Sequence, residues 1–118
     1  MAYVDGFIAA VPTANKEAYL KIAKETAPVF KKYGALSVVE CWGDDVPEGK
    51  VNSMHTAVMR KPDESVVFSW VVWPSRAVRD EAWPKMMGEA AMADMTMPFD
   101  GQRMIHGGFE PILGDPAG

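Results

Sequence analysis

An α+β domain of the split βαβ, ferredoxin-like kind, with an antiparallel sheet and two helices on one face, is the fold that this sequence of 118 residues predicts. Three observations carry it. Runs rich in valine, isoleucine and aromatic residues, bounded by proline or glycine, recur as strands. Stretches with helical spacing separate them, giving the order strand, helix, strand, strand pair, helix, strand. The strand runs also lack a polar side: Val66, Phe68, Trp70 and Val72 alternate with Val67, Val71 and Trp73, so both faces of the sheet are expected to be covered. Helices cover one face, and a second copy of the chain is the simplest cover for the other. The expectation is a homodimer whose sheets meet face to face about a two-fold axis.

The first strand is expected over residues 3–11, stopping at Pro12, with Asp5 the polar exception among Tyr3, Phe7, Ala9 and Val11 on its side. Thr13 or Asn15 can cap the next helix, where Tyr19, Ile22, Ala23, Thr26 and Phe30 form the apolar stripe. Pro28 removes a backbone hydrogen bond and should kink or end that helix, and Gly34 supplies a stop. Residues 36–42 (LSVVECW) make a second strand, interrupted by Glu40, and 43–49 (GDDVPEG) a loop. Residues 53–60 and 65–73 are expected to pair as a hairpin around the Lys61-Pro62-Asp63-Glu64 turn. Ser75 caps a helix expected from about residue 76 to 93, interrupted by Pro84. The methionines in it and just after it, Met86, Met87, Met92, Met95 and Met97, offer either the lining of a promiscuous pocket or, the favoured reading, the filling of an irregular core.

Residues 97–113 (MPFDGQRMIHGGFEPIL) compress a turn signal at Asp100-Gly101, an arginine, a histidine and a glycine pair into one loop and one strand. In extended backbone His106 and Gly108 share a face, and Gly107-Gly108 signals a bulge or a close approach to the backbone.

Length is consistent with one domain over residues 1–118. The net charge of −4, with lysines scattered among glutamates along the first helix, argues against a nucleic-acid surface. No stretch reaches the apolar length of a membrane helix and the N-terminus lacks a basic start, so a cytoplasmic protein is expected. Cys41 is the single cysteine, which rules out an internal disulfide.

Polar residues in mid-strand are the candidates for chemistry: Asp5, Glu40, Ser69 and His106. The first and last strands of a split βαβ sheet are neighbours, so Asp5 and His106 are expected to meet if their registers agree. A carboxylate that fixes an imidazole tautomer leaves the other ring nitrogen as a base, which makes Asp5, His106 and Glu40 the catalytic candidates. The duller reading is a satisfied polar pair or a dimer contact. Trp42 and Trp70 are candidates to line a cavity for an apolar or aromatic ligand. Arg103 is placed either to pair with Asp100 or to clamp an anion. His55, His106, Asp5 and Glu40 have metal-ligating atoms but no metal-binding spacing, and no phosphate-cradling glycine motif is present, so neither a metal nor a cofactor is expected.

The runs YVDGFIAAVP, FKKYGALSVVECWGDDVPEGK, VVFSWVVWPSRAVRD and MPFDGQRMIHGGFEPIL together resemble the YbaA-like family of uncharacterised bacterial proteins over nearly the whole chain. The resemblance implies a dimeric α/β barrel, in which a ferredoxin-like subunit pairs through its sheet, and it implies no assigned reaction. At the level of fold, that superfamily includes cofactor-independent monooxygenases, haem-degrading enzymes, decarboxylases and muconolactone-isomerase-like proteins. The resulting expectation is a homodimer that binds a small apolar or aromatic metabolite, with monooxygenase- or isomerase-like activity as one outcome. A non-catalytic binding or structural homodimer is the alternative.

Overall fold

The computed structural model describes residues 1–116. Strand β1 (Tyr3–Pro12) leads through a 3-10 turn into helix α1 (Lys16–Lys32), followed by β2 (Ser37–Trp42), a short helix α2 (Met54–Ala57), β3 (Glu64–Trp73), α3 (Arg76–Met87), a second short helix α4 (Ala90–Ala93) and β4 (Ile105–Phe109). The sheet has four strands in the order β2-β3-β1-β4, all pairs antiparallel. With α1 and α3 packed on one face, this is the expected ferredoxin-like arrangement.

Register decides which side chains share a face. Asp5 lies opposite Val71 on β3 and Gly108 on β4, and Phe7 lies opposite Ser69 and His106. Glu40 lies opposite Ser69, and Val38 opposite Val71. All of these are on the helix side. There Phe30 of α1 packs edge-on against Trp83 of α3, with ring centroids 5.5 Å apart, and against Trp73, 6.3 Å away. Ala82, Met86 and Met92 complete this core.

The expected extra strand over residues 53–60 is instead α2, and the reason is local. The Ser53 hydroxyl accepts from the Thr56 amide at 3.1 Å while the Thr56 hydroxyl accepts from the Ser53 amide at 3.1 Å, a reciprocal cap that favours helix over extended backbone. Val58, which follows, is fully buried against Ala10 and Val66 and covers one end of the sheet's other face.

The first helix ends at the expected Gly34 stop rather than at Pro28, and the second long helix ends earlier than expected. Helix α1 runs through Pro28 to Lys32, and Gly34 (φ 112°) then turns the chain. A Cβ there would lie 2.7 Å from Val78 Cγ1, so both conformation and space require glycine. The helix expected to reach residue 93 ends at Met87, because Glu89 is extended and its carboxylate accepts from Lys32 Nζ and Tyr33 Oη, both at 2.6 Å. This anchor turns residues 88–104 back over the sheet.

On the face away from α1 and α3, Phe68 and Phe109 remain 42% and 61% exposed, too much apolar area for a finished core. They and Trp70 border a shallow depression with the C-terminal residues 110–116.

Candidate functional site

One row across the helix face of the sheet places His106, Phe7, Ser69 and Glu40 side by side on β4, β1, β3 and β2. His106 and Glu40 are therefore at opposite ends, three strand spacings or roughly 14 Å apart. Above the Glu40 end, Tyr19 projects from α1 and its hydroxyl donates to Glu40 Oε1 at 2.5 Å. Ser69 also interacts with both groups. Trp42, one row further on, meets the Tyr19 ring edge-on at 6.2 Å and holds it from behind, while Phe99 packs on Tyr19 at 5.8 Å.

Between this row and the helices lies a half-open cavity of about 210 Å³. Ala9, Ser69 and Val71 form its sheet wall, Ile22, Thr26 and Phe30 of α1 a second, and Trp83 and Met87 of α3 a third. Residues 88–104 close the remaining side with Met92, Met95, Met97, Phe99 and Met104. The methionines assigned to core filling serve both places: Met86 is fully buried, Met92 is a core residue that also borders the cavity, and Met87, Met95 and Met97 line it. Thioethers suit such a wall because they are flexible and polarizable.

Among the described residues no lysine, arginine or histidine lines this space. Glu40 is solvent-exposed and also borders the cavity; the protein packed around its carboxyl raises its pKa above the usual carboxylate value, and the Tyr19 hydroxyl opposes that shift. Burial, reinforced by the hydrogen bond to Glu40, raises the Tyr19 phenol far above its ordinary range, so it remains a protonated donor at neutral pH.

The remaining sequence candidates lie elsewhere. Asp5 is 3% exposed and does not meet His106, since its carboxylate is taken up by Trp73 Nε1 at 2.9 Å, Trp83 Nε1 at 3.2 Å and Arg79 Nη2 at 2.8 Å. The register sets Gly108, not His106, beside it. Glycine is needed there because a Cβ would lie 2.7 Å from Tyr3 Cε2 and 2.8 Å from Arg79 Nη2, the close approach that the glycine pair signalled. His106 instead packs against Phe7, with ring centroids 6.0 Å apart. Trp70 is on the opposite face of the sheet, against Phe68 at 5.5 Å.

Arg103 pairs with Asp100 at 3.0 Å, as the sequence suggested, and grips Glu64 with both terminal nitrogens, at 2.7 and 2.6 Å. This two-pronged ion pair leaves it no free fork for an anion. It ties the end of the cavity's methionine-bearing segment to the start of β3. His55 Nε2 meets the Val46 carbonyl oxygen at 2.8 Å, and among the described residues no three His, Cys, Asp or Glu side chains converge to hold a metal.

The hydrogen bonds from Arg103 hold the Glu64 carboxyl at a pKa of about 2, against an ordinary value of 4.5. A carboxyl depressed on folding contributes stability above its unfolded pKa, and that contribution is lost as pH falls through the folded value. Glu64→Gln is therefore expected to be less stable than the parent at pH 7, with the gap narrowing from pH 4.5 and closing near pH 2. Urea midpoints measured across that range test this; a constant gap would contradict it.

Tyr19, Arg79 and Glu64 were not identified as site or network residues from sequence. Tyr19 was legible as part of an apolar stripe, but nothing local paired it with Glu40, 21 residues away.

Fold and cavity together define a small ferredoxin-like α+β domain with an apolar pocket between sheet and helices. The chain belongs to a family of proteins of unknown function (DUF1428), whose family model matches residues 2–101. It is 53% identical over 115 residues to the uncharacterised protein YbaA of Escherichia coli K12, an alignment covering 96% of this chain and 98% of that protein. The YbaA proteins of Escherichia coli O157:H7 and Shigella flexneri match with the same identity and coverage. The resemblance read from the sequence blocks is thereby borne out. Among the described residues no helix is long and apolar enough to cross a membrane.

Proposed function

We propose that this chain forms a homodimer in which each subunit binds one small apolar or aromatic molecule in the cavity between sheet and helices. The observation that carries the ligand reading is the cavity itself: about 210 Å³, walled by aromatic rings and thioethers, with Glu40, Tyr19 and Ser69 as a polar corner. A mostly apolar space with a few convergent polar groups is the usual form of a small-molecule site. The exposed Phe68, Ile105 and Phe109 on the other sheet face support pairing through that face. Glu40, with its raised pKa, is the carboxylate within the cavity and hence the group that an isomerase-like proton transfer would use.

The non-catalytic alternative has its own support, because Asp5 and Arg103 are occupied by structural partners. Both readings retain a homodimer.

Indole, a neutral aromatic probe, tests the ligand reading. It is expected to shift the methyl resonances of Met92 and Met95 with a dissociation constant in the millimolar range, about −4 kcal/mol. Ala23→Trp, which fills the α1 wall, is expected to weaken binding by about tenfold or more. Unshifted resonances, or unchanged affinity in a folded Ala23→Trp, would overturn it. Native mass spectrometry of the untagged chain tests the assembly: a dimer is expected, and a monomer at micromolar concentration would refute it.

A further inference from the structure

We propose that the cavity selects a hydrophobic amine, its ammonium paired with Glu40 and its apolar body held against Phe7, Phe30, Trp83 and Met92. This rests on the cavity being a ligand site and specifies the chemistry of its occupant.

The distribution of charge is the first argument. Asp5 faces Arg79, Glu64 faces Arg103 and Glu89 faces Lys32, each within 2.8 Å or less. Glu40 differs. Its hydrogen-bond partner is the neutral hydroxyl of Tyr19, the neutral Ser69 lies opposite it on β3, and no protein cation lines the cavity among the described residues. Glu40 is solvent-exposed and so carries no buried-ion penalty, but it borders the apolar space without a protein counter-charge. A ligand's cation supplies the charge-assisted hydrogen bond that the protein does not. An anionic ligand meets only repulsion there. A wholly apolar one displaces the water that still solvates Glu40 and puts nothing in its place.

The walls are the second argument. Ring faces attract cations through their quadrupole, and Phe7, Tyr19, Phe30 and Trp83 all contribute to the lining. The methionine side chains add polarizable, adaptable surface for the organic part. Size agrees as well, because a dry cavity of about 150 Å³ accommodates benzene. The space of about 210 Å³ therefore suits a single-ring amine.

Three probes of similar shape separate the possibilities: 2-phenylethylamine as the cation, 2-phenylethanol as the neutral analogue and phenylacetate as the anion. Each is titrated at pH 7 into the full chain and into Glu40→Gln and Tyr19→Phe, with the methionine methyl resonances as readout. The amine is expected to bind about tenfold tighter than the alcohol, and phenylacetate most weakly. Glu40→Gln is expected to bring amine and alcohol within about twofold of each other, through the amine's loss of affinity. Tyr19→Phe keeps the carboxylate and is expected to keep the preference for the amine. If alcohol and amine bind equally to the parent, the amine inference falls and the cavity remains a ligand site. If none of the three shifts the resonances, both fall together.

Discussion

Replacing Asp5 with alanine is expected to lower the free energy of unfolding by about 3–5 kcal/mol, because it strands a partly buried cation and two indole donors at once. Asp5 is 3% exposed and accepts from Trp73, Trp83 and Arg79, joining β1, β3 and α3 beneath the helix layer. The Arg79 guanidinium also stacks over Tyr3 at 5.3 Å and donates to Asp80, so it cannot swing free into water without breaking further contacts. Asp5→Asn keeps the shape and one acceptor but removes the charge, and is expected to cost about 1–3 kcal/mol. Total stability of a domain this size is of the order of 5–15 kcal/mol, so the alanine variant sits near the limit of folding. Urea denaturation checks it: the midpoint should fall with the slope unchanged. If Arg79→Met is added to Asp5→Ala, part of the loss should return, since the orphaned cation is then gone. A loss below about 1 kcal/mol in Asp5→Ala would mean that the network is not holding these elements together.

Trp73→Ala is expected to cost at least as much, about 3–5 kcal/mol for the cavity and lost burial. Trp73 is the largest fully buried side chain, packs on Phe30, and supplies the 2.9 Å donor to Asp5. Trp73→Phe retains a ring against Phe30 but loses the donor, and about 1–2 kcal/mol is expected. The two sites are coupled through that hydrogen bond. Asp5→Ala combined with Trp73→Phe should therefore cost less than the sum of the single changes, by about 0.5–3 kcal/mol in a double-mutant cycle. Strict additivity would show that the hydrogen bond contributes little.

Much of the fold was legible because strand and helix periods are local properties. Residues 3–11 and 65–73 contain the β-branched and aromatic density of buried strands, and the Tyr19, Ile22, Ala23, Thr26, Phe30 stripe fixes which side of α1 turns to the sheet. The order of these elements was enough to give the ferredoxin-like sheet. The errors came where side chains act on the backbone over a few residues or over many. Alternation in residues 53–60 looked like a strand, but the reciprocal Ser53–Thr56 cap made it a helix. Helix α3 stopped short because Glu89 is bound to Lys32 and Tyr33, more than fifty positions earlier.

The sequence by itself determined the class of the fold, the two apolar faces of the sheet, and the fact that Asp5, Glu40, Ser69 and His106 would be polar positions in strands. Only the tertiary structure decided what each of them does. Strand register placed Gly108 beside Asp5, and strand order put two strands between His106 and Glu40. Packing of α1 brought Tyr19 onto Glu40, and residues 88–104 folded back to make a cavity from methionines whose gap-filling chemistry favoured the core reading. The physical reason is that burial and pairing are set by long-range neighbours. A carboxylate becomes a structural anchor beside Arg79 or borders an open apolar space beside a tyrosine hydroxyl, and its own stretch of sequence does not say which.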